Sequence, residues 1–246
     1  MTHTLERVRH ELKRRAVTVR SVEQVTPAMV RITLEGEDLA DFVSLGADDH
    51  IKVFVPGSGE MRDYTPRRYD NADRSLVIDF AMHGGQDHAG PATAWARDAR
   101  PGDEIRIGGP KGSMVVSPTF DWYLLIGDET ALPAIGRRLE ELPAGAKVIT
   151  VAAVTGPEEE QTFTTAADHT AIWIHRPESA NDDPAPVMAV LETLSVPEGD
   201  GFVWIGTEAR VMRAAKAHVI DTMKHNTSWL KASGYWIKGQ ADSSEK

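Results

Sequence analysis

Between Val17 and Ile107 the apolar positions recur at every second residue, in short runs. Val30, Ile32 and Leu34 alternate with polar neighbours, and Ile105 is followed by Arg106. A period of two belongs to a strand with one face in a core. The runs predict strands at Val17–Val25, Met29–Leu34, Ile51–Val55, Leu76–Met82 and Glu104–Ile107. Glycine and proline punctuate them at Pro56-Gly57-Ser58-Gly59, Pro101-Gly102 and Gly108-Gly109-Pro110. Short strands with turns between them indicate a small antiparallel barrel. One helix, Pro91 to Ala99, is expected across it, and residues 4–15 read as a short surface helix.

After Pro118 the rhythm changes. Trp122-Tyr123-Leu124-Leu125-Ile126 is continuously apolar, as a strand covered on both faces must be. A helix Ala131–Leu142 follows, then strands Val148–Val154 and Ala171–His175, a helix Val187–Leu194, a strand Phe202–Ile205 and a helix Glu208–His225. Strands alternating with helices predict a parallel sheet with helices on its faces. In the last helix Met212, Ala215, Val219 and Met223 share one face, which reads as core. The fold expected is therefore an antiparallel β-barrel, residues 1–118, followed by an α/β domain with a parallel sheet, residues 119–246, ending in a helix and a polar tail.

Composition narrows the chemistry. The chain has no cysteine, which removes disulfides, thiolate zinc sites and protein-held iron–sulfur clusters. No apolar run approaches the roughly 20 residues of a membrane helix, and Met1–Arg15 lacks the apolar centre of a signal peptide. A cytoplasmic location is expected. The 27 basic and 37 acidic residues give a net charge of −10, which argues against nonspecific nucleic-acid binding. No zinc motif, paired catalytic carboxylates or serine elbow is present, and no catalytic residue or metal ligand is nominated.

Candidate binding chemistry concentrates between Arg62 and Gly112. In Arg62-Asp63-Tyr64-Thr65-Pro66-Arg67, strand alternation puts Arg62 and Tyr64 on one face. A flat aromatic ring can pack on Tyr64 and a phosphate can pair with arginine. Gly90-Pro91-Ala92-Thr93 then opens a helix, whose first N–H groups can hold a phosphate oxygen. A flat ring plus a pyrophosphate describes a flavin dinucleotide. Further on, Asp128 and Thr130 follow a buried strand and open a helix, and Glu208 repeats that context. Open α/β sheets bind nucleotides there, although Gly-x-Gly-x-x-Gly is missing. The two turns outline a nicotinamide-nucleotide site, or else a pair of capped helix starts. Arg137, Arg138, Arg176 and Arg210 are possible partners for the 2′-phosphate of NADPH.

Taken in order, Arg62-x-Tyr64-Thr65-x-Arg67, His83-Gly84, Gly90-Pro91-Ala92, Trp95-Ala96, Pro101-Gly102-Asp103, Gly109-Pro110-x-Gly112-Ser113, Gly127–Ile135 and Gly234-Tyr235-Trp236 resemble the siderophore-interacting proteins. These are FAD-dependent ferric-siderophore reductases of the ferredoxin-reductase-like superfamily. The resemblance implies an FAD-binding barrel and an NAD(P)H-binding-like domain, with NADPH, NADH or a reduced ferredoxin as donor. It places Arg67 and His83 near the flavin, and makes Lys52 and Lys238 members of a basic trap for a ferric siderophore. A Tyr-Trp-Arg order is common in the family; this chain has Tyr235-Trp236-Ile237-Lys238. A monomer is expected. Alternative readings are a flavodoxin or ferredoxin reductase, and a chelate-binding or flavin-sensing protein without turnover.

Overall fold

A computed structural model describes residues 3–82, 90–240 and 244–245. The chain divides into two compact units. The first takes residues 4–116 with 136–138, and the second takes the remainder.

In the first unit the strands are β1 (Leu5–Arg9), β2 (Arg14–Thr26), β3 (Met29–Glu35), β4 (Ile51–Phe54), β5 (Met61–Tyr64), β6 (Arg68–Asp70), β7 (Ser75–Ala81), β8 (Glu104–Gly108) and β9 (Gly112–Val116), with one helix α1 (Pro91–Asp98). Seven of the strands form an antiparallel sheet in the order β5-β4-β8-β2-β3-β7-β6. The alternation decides which face is inside. Ile32, Leu34, Ile51, Val53, Leu76, Ile78, Ile105 and Ile107 are all buried in one cluster, with Tyr64 and Trp95 packed against it. Each fully buried aliphatic side chain contributes about 1.5–3 kcal/mol relative to leaving it in water.

The helix expected over residues 4–15 is absent. Leu5–Arg9 pairs antiparallel with β9, Leu5 opposite Val116 and Val8 opposite Ser113. Arg14–Ala16 already belong to β2, with Arg15 opposite Ile107 of β8. The local composition favours a helix, but only weakly, and partners far along the chain override it. Arg15 is buried because β2 alternates through it; its guanidinium lies over the Phe42 ring and pairs with Asp41 at 2.8 Å.

In the second unit the order is β10 (Trp122–Asp128), α2 (Leu132–Glu141), β11 (Lys147–Val154), β12 (Asp168–His175), α3 (Ala185–Leu191), β13 (Gly201–Glu208), α4 (Ala209–Asp221) and β14 (Leu230–Trp236). The sheet order is β12-β11-β10-β13-β14, and every pairing is parallel. Every residue of β10 and β13 is buried, which accounts for the unbroken apolar run at Trp122–Ile126. Met212, Ala215 and Val219 of α4 lie in the core, as their spacing predicts. Two close approaches need glycine. A Cβ on Gly201 would fall 2.2 Å from the ring of Trp122, its register partner. One on Gly127 would fall 2.7 Å from Ile135 and 2.9 Å from Ala131, so glycine lets the start of α2 settle on the end of β10. Among the described residues no helix is long and apolar enough to cross a membrane.

Candidate functional site

The first unit brings most of the expected ring-and-phosphate residues onto neighbouring elements. β5 pairs with β4, Arg62 opposite Val53 and Tyr64 opposite Ile51. Along β5 Met61 and Asp63 are exposed while Arg62 and Tyr64 are half-buried. The Tyr64 ring lies 4.3 Å from the ring of Phe80 on β7, and Phe80 lies 5.8 Å from Trp95 on α1. A row of three rings therefore links β5 to the helix. Burial pushes the Tyr64 phenol well above its ordinary value, with Arg62 pulling weakly the other way. It is a neutral hydrogen-bond donor across the physiological range.

Arg62 turns back on its own strand, to the Met61 carbonyl at 2.9 Å and to the carboxylate of Glu60. Thr65 and Arg67 are buried. Arg67 stands 3.8 Å from the carboxylate of Asp79, which Arg31 grips with two bonds of 2.7 Å. At the start of α1, Gly90 is the N-cap in an extended conformation and Pro91 follows in the first turn. Proline suits that position because its missing N–H has no helical partner there. A glycine N-cap brings no side-chain oxygen to the first-turn N–H groups, and a Cβ on Gly90 would meet no atom within 4 Å. Ala92 and Thr93 are buried. The aromatic face, the arginines and the uncrowded glycine turn fit a flavin dinucleotide. His83 lies outside the described residues.

A buried node beside these elements has no counterpart in the sequence reading. Asp49 accepts from the Ser44 hydroxyl at 2.8 Å, the Gly46 N–H at 3.1 Å and the Ser113 hydroxyl. Ser113 also takes the Leu45 N–H at 2.9 Å and stands 2.7 Å from His10 Nε2. The serine of Gly-Pro-x-Gly-Ser thus ties β9 to the loop 44–49. The only signal available was the motif itself.

In the second unit Asp128, Thr130 and Glu208 do meet, at the carboxyl ends of β10 and β13. Asp128 Oδ1 accepts from the Thr130 N–H at 2.9 Å and its hydroxyl at 2.6 Å. Its Oδ2 accepts from the Glu208 N–H and from Trp236 Nε1, both at 2.9 Å. Glu208 caps α4 through the Arg210 N–H, and its other oxygen takes the Lys238 N–H at 3.2 Å. Both acids are buried and satisfied within the chain. Tyr235 meets Trp204 edge-on at 5.9 Å.

The expected phosphate partners are distributed as follows. Arg176 is paired with Glu129 and Arg210 with Asp182. Arg137, which groups with residues 4–116, donates to the Ser44 hydroxyl and the Pro66 carbonyl. Arg138 makes no ion pair among the described residues. Lys52 faces its register partner Asp63 at 3.0 Å. Lys238 is exposed, and its ammonium reaches the Ser179 carbonyl at 2.6 Å and the carboxylate of Asp182.

A family model described as siderophore-interacting protein matches residues 120–239, and one described as siderophore-interacting FAD-binding domain matches 18–61 and 58–114. The NADPH-dependent ferric-chelate reductase of Escherichia coli is 32% identical, over 94% of this chain and 96% of that protein. The ferric vibriobactin reductase ViuB of Vibrio cholerae is 32% identical, over 88% and 86%. The crystal structure of a siderophore utilization protein from T. fusca superposes with a TM-score of 0.87 and 34% identity, covering 98% of each chain.

Proposed function

The chain belongs to the siderophore-interacting protein family, and on that premise we propose that it is an FAD-dependent reductase of ferric siderophores, with NADPH as the electron donor. The observation that carries this reading is the ring row Tyr64–Phe80–Trp95, which joins an aromatic strand face to an uncrowded helix start within the stretch matched by the FAD-binding model. Bound FAD supplies the relay between a two-electron donor and the one-electron acceptor Fe³⁺.

The chain's own residues bind and orient. Tyr64 offers a flat apolar face and a neutral phenol. Arg62 and Arg67 place positive charge beside it, and Thr65 a hydroxyl. Gly90, Pro91, Ala92 and Thr93 form the turn that receives a phosphate. The edge made by Asp128, Thr130 and Glu208 receives the nicotinamide nucleotide, and Lys52 and Lys238 attract the anionic chelate. No side chain has to move a proton for an outer-sphere electron to reach iron. In this proposal 1–118 is the flavin domain and 119–246 the donor domain, and the protein acts as a cytoplasmic monomer.

The test is the visible spectrum of the purified protein under anaerobic conditions. Flavin bands that bleach with NADPH and return on adding a ferric siderophore, with ferrous iron appearing, are the expected result. Bands that bleach with dithionite but with neither NADPH nor NADH would shift the donor role to a reduced ferredoxin. Failure to take up FAD in excess would overturn the reading.

A further inference from the structure

Arg176 stands one residue beyond β12. Its N–H is bonded to the Val154 carbonyl at 2.9 Å, which pins it to the end of β11. Its guanidinium is buried and meets Glu129 with two bonds, Nη1 to Oε1 at 3.3 Å and Nη2 to Oε2 at 2.6 Å. It lines a narrow crevice with Asp128, Ala153, Asn181, Asp183 and Thr207. That crevice lies at the carboxyl ends of β10, β11 and β13, where an open parallel sheet receives nucleotides. It encloses only about 10 Å³, room for roughly one water, so a phosphate reaches Arg176 only by taking the place of the Glu129 carboxylate. Asn181 Oδ1 is buried with no hydrogen-bond partner among the described residues, an acceptor that a ribose hydroxyl would satisfy.

We infer that the Arg176–Glu129 pair sets how strongly this chain discriminates between adenine nucleotides with and without a 2′-phosphate, Arg176 being the group that receives the phosphate and Glu129 its internal competitor. The inference rests on the nucleotide reading of this edge given above. A planar guanidinium that grips a carboxylate with two bonds grips a phosphate with the same fork. The other cations of this edge are committed elsewhere and exposed: Arg210 lies 2.8 Å from Asp182, and Lys238 shares that carboxylate. Burial and then the neighbouring Asp128 push the Glu129 carboxyl up, and Arg176 offsets them only partly. A 2′-phosphate must displace that carboxylate, so most of its attraction to Arg176 is spent on breaking an existing pair.

The experiment is calorimetric binding of 5′-AMP and of 2′,5′-ADP to the FAD-loaded full chain, with no electron transfer involved. The native protein should bind the two within about threefold of each other. Glu129→Gln should tighten 2′,5′-ADP about tenfold and leave 5′-AMP unchanged. Glu129→Ala should act in the same direction, with thermal melting confirming that each variant is folded. Replacing both members, Glu129→Gln with Arg176→Gln, should erase the gain. If 5′-AMP binds but neither Glu129 variant improves 2′,5′-ADP, the inference is wrong and the reductase reading stands. A native preference for 2′,5′-ADP well above tenfold would also overturn it. If neither nucleotide binds any of these proteins, the nucleotide edge falls, and the inference falls with it.

Discussion

The two ends of this chain solve the placement of polar groups in opposite ways. In the first unit the β5–α1 region leaves groups accessible: a half-buried Tyr64 ring and a glycine turn with open space around it. In the second unit the corresponding strand-to-helix turns are closed on themselves. Asp128 holds four donors and Glu208 caps its own helix. The difference teaches that a turn at the right place in a fold offers a ligand only the groups its own residues leave open. Whether its polar atoms face a ligand or face each other decides what a mutation there costs. Substitutions in the first region should act on the cofactor, and substitutions of the self-satisfied acids Asp128 and Glu208 on stability first.

The sharpest way to break that contrast is Asp128→Ala. It leaves the Thr130 N–H and hydroxyl, the Glu208 N–H and the Trp236 indole without their acceptor. The Glu208 N–H is buried and the other three are half-buried; an orphan costs about 1–3 kcal/mol when fully buried and less when water can reach it, so a loss of about 3–5 kcal/mol is expected in urea unfolding of the second unit. An unfolding midpoint that does not move would show the network to be decorative. The counterpart in the first unit is Tyr64→Ala. Loss of a stacked aromatic face should weaken FAD about 10- to 100-fold, while Tyr64→Phe, which keeps the face, should stay within about threefold. Fluorescence titration of the apoprotein with FAD reads both. Equal weakening by both variants would put the contribution in the hydroxyl instead of the ring.

The same contrast explains what could be read in the sequence. Alternation at Val30, Ile32 and Leu34 and the apolar run of β10 mark strands because burial acts on each residue directly. β1 and β14 carry no such mark. Their residues are mostly half-buried or exposed, and they are strands only because β9 and β13 offer them partners. At the site, Tyr64 and Gly90 were legible from strand period and turn chemistry. The Asp49–Ser113 bond spans 64 positions and the Trp236–Asp128 bond spans 108. No local pattern announces contacts over such distances. The identity of Ser113 as a tie to the loop 44–49, and of Trp236 as a donor to Asp128, therefore required the fold.

A smaller effect concerns pH, and it too separates the units. His169 and His225, both in the second unit, are held below their ordinary value by burial; the Trp229 carbonyl opposes this for His225. A histidine whose folded value lies below 6.5 favours the folded state fully above 6.5. That contribution is lost as pH falls through the folded value, because the unfolded chain then binds the proton more readily. The urea midpoint of the second unit should fall between pH 7 and pH 5, and His169→Gln should flatten the fall. A steeper fall in His169→Gln would reverse the sign assigned here.

The smallest changes should come from the two lysines, where the comparison is most exposed to refutation. Lys52 and Lys238 stand in different units, and each is already held by a carboxylate, Asp63 or Asp182. Surface pairs of this kind contribute about 0–1 kcal/mol, so Lys52→Ala and Lys238→Ala should leave the unfolding midpoints nearly unchanged. If they attract the chelate, each should raise KM for an anionic ferric siderophore about three- to tenfold at low salt, an effect that shrinks as ionic strength rises. Lys238 should matter less than Lys52, because Asp182, the Ser179 carbonyl and Arg210 surround the place its charge would serve. A KM change that survives high salt would mean a direct hydrogen bond to the chelate instead of a field. A change in unfolding midpoint larger than the change in KM would return that lysine to the class of residues that hold its own unit together.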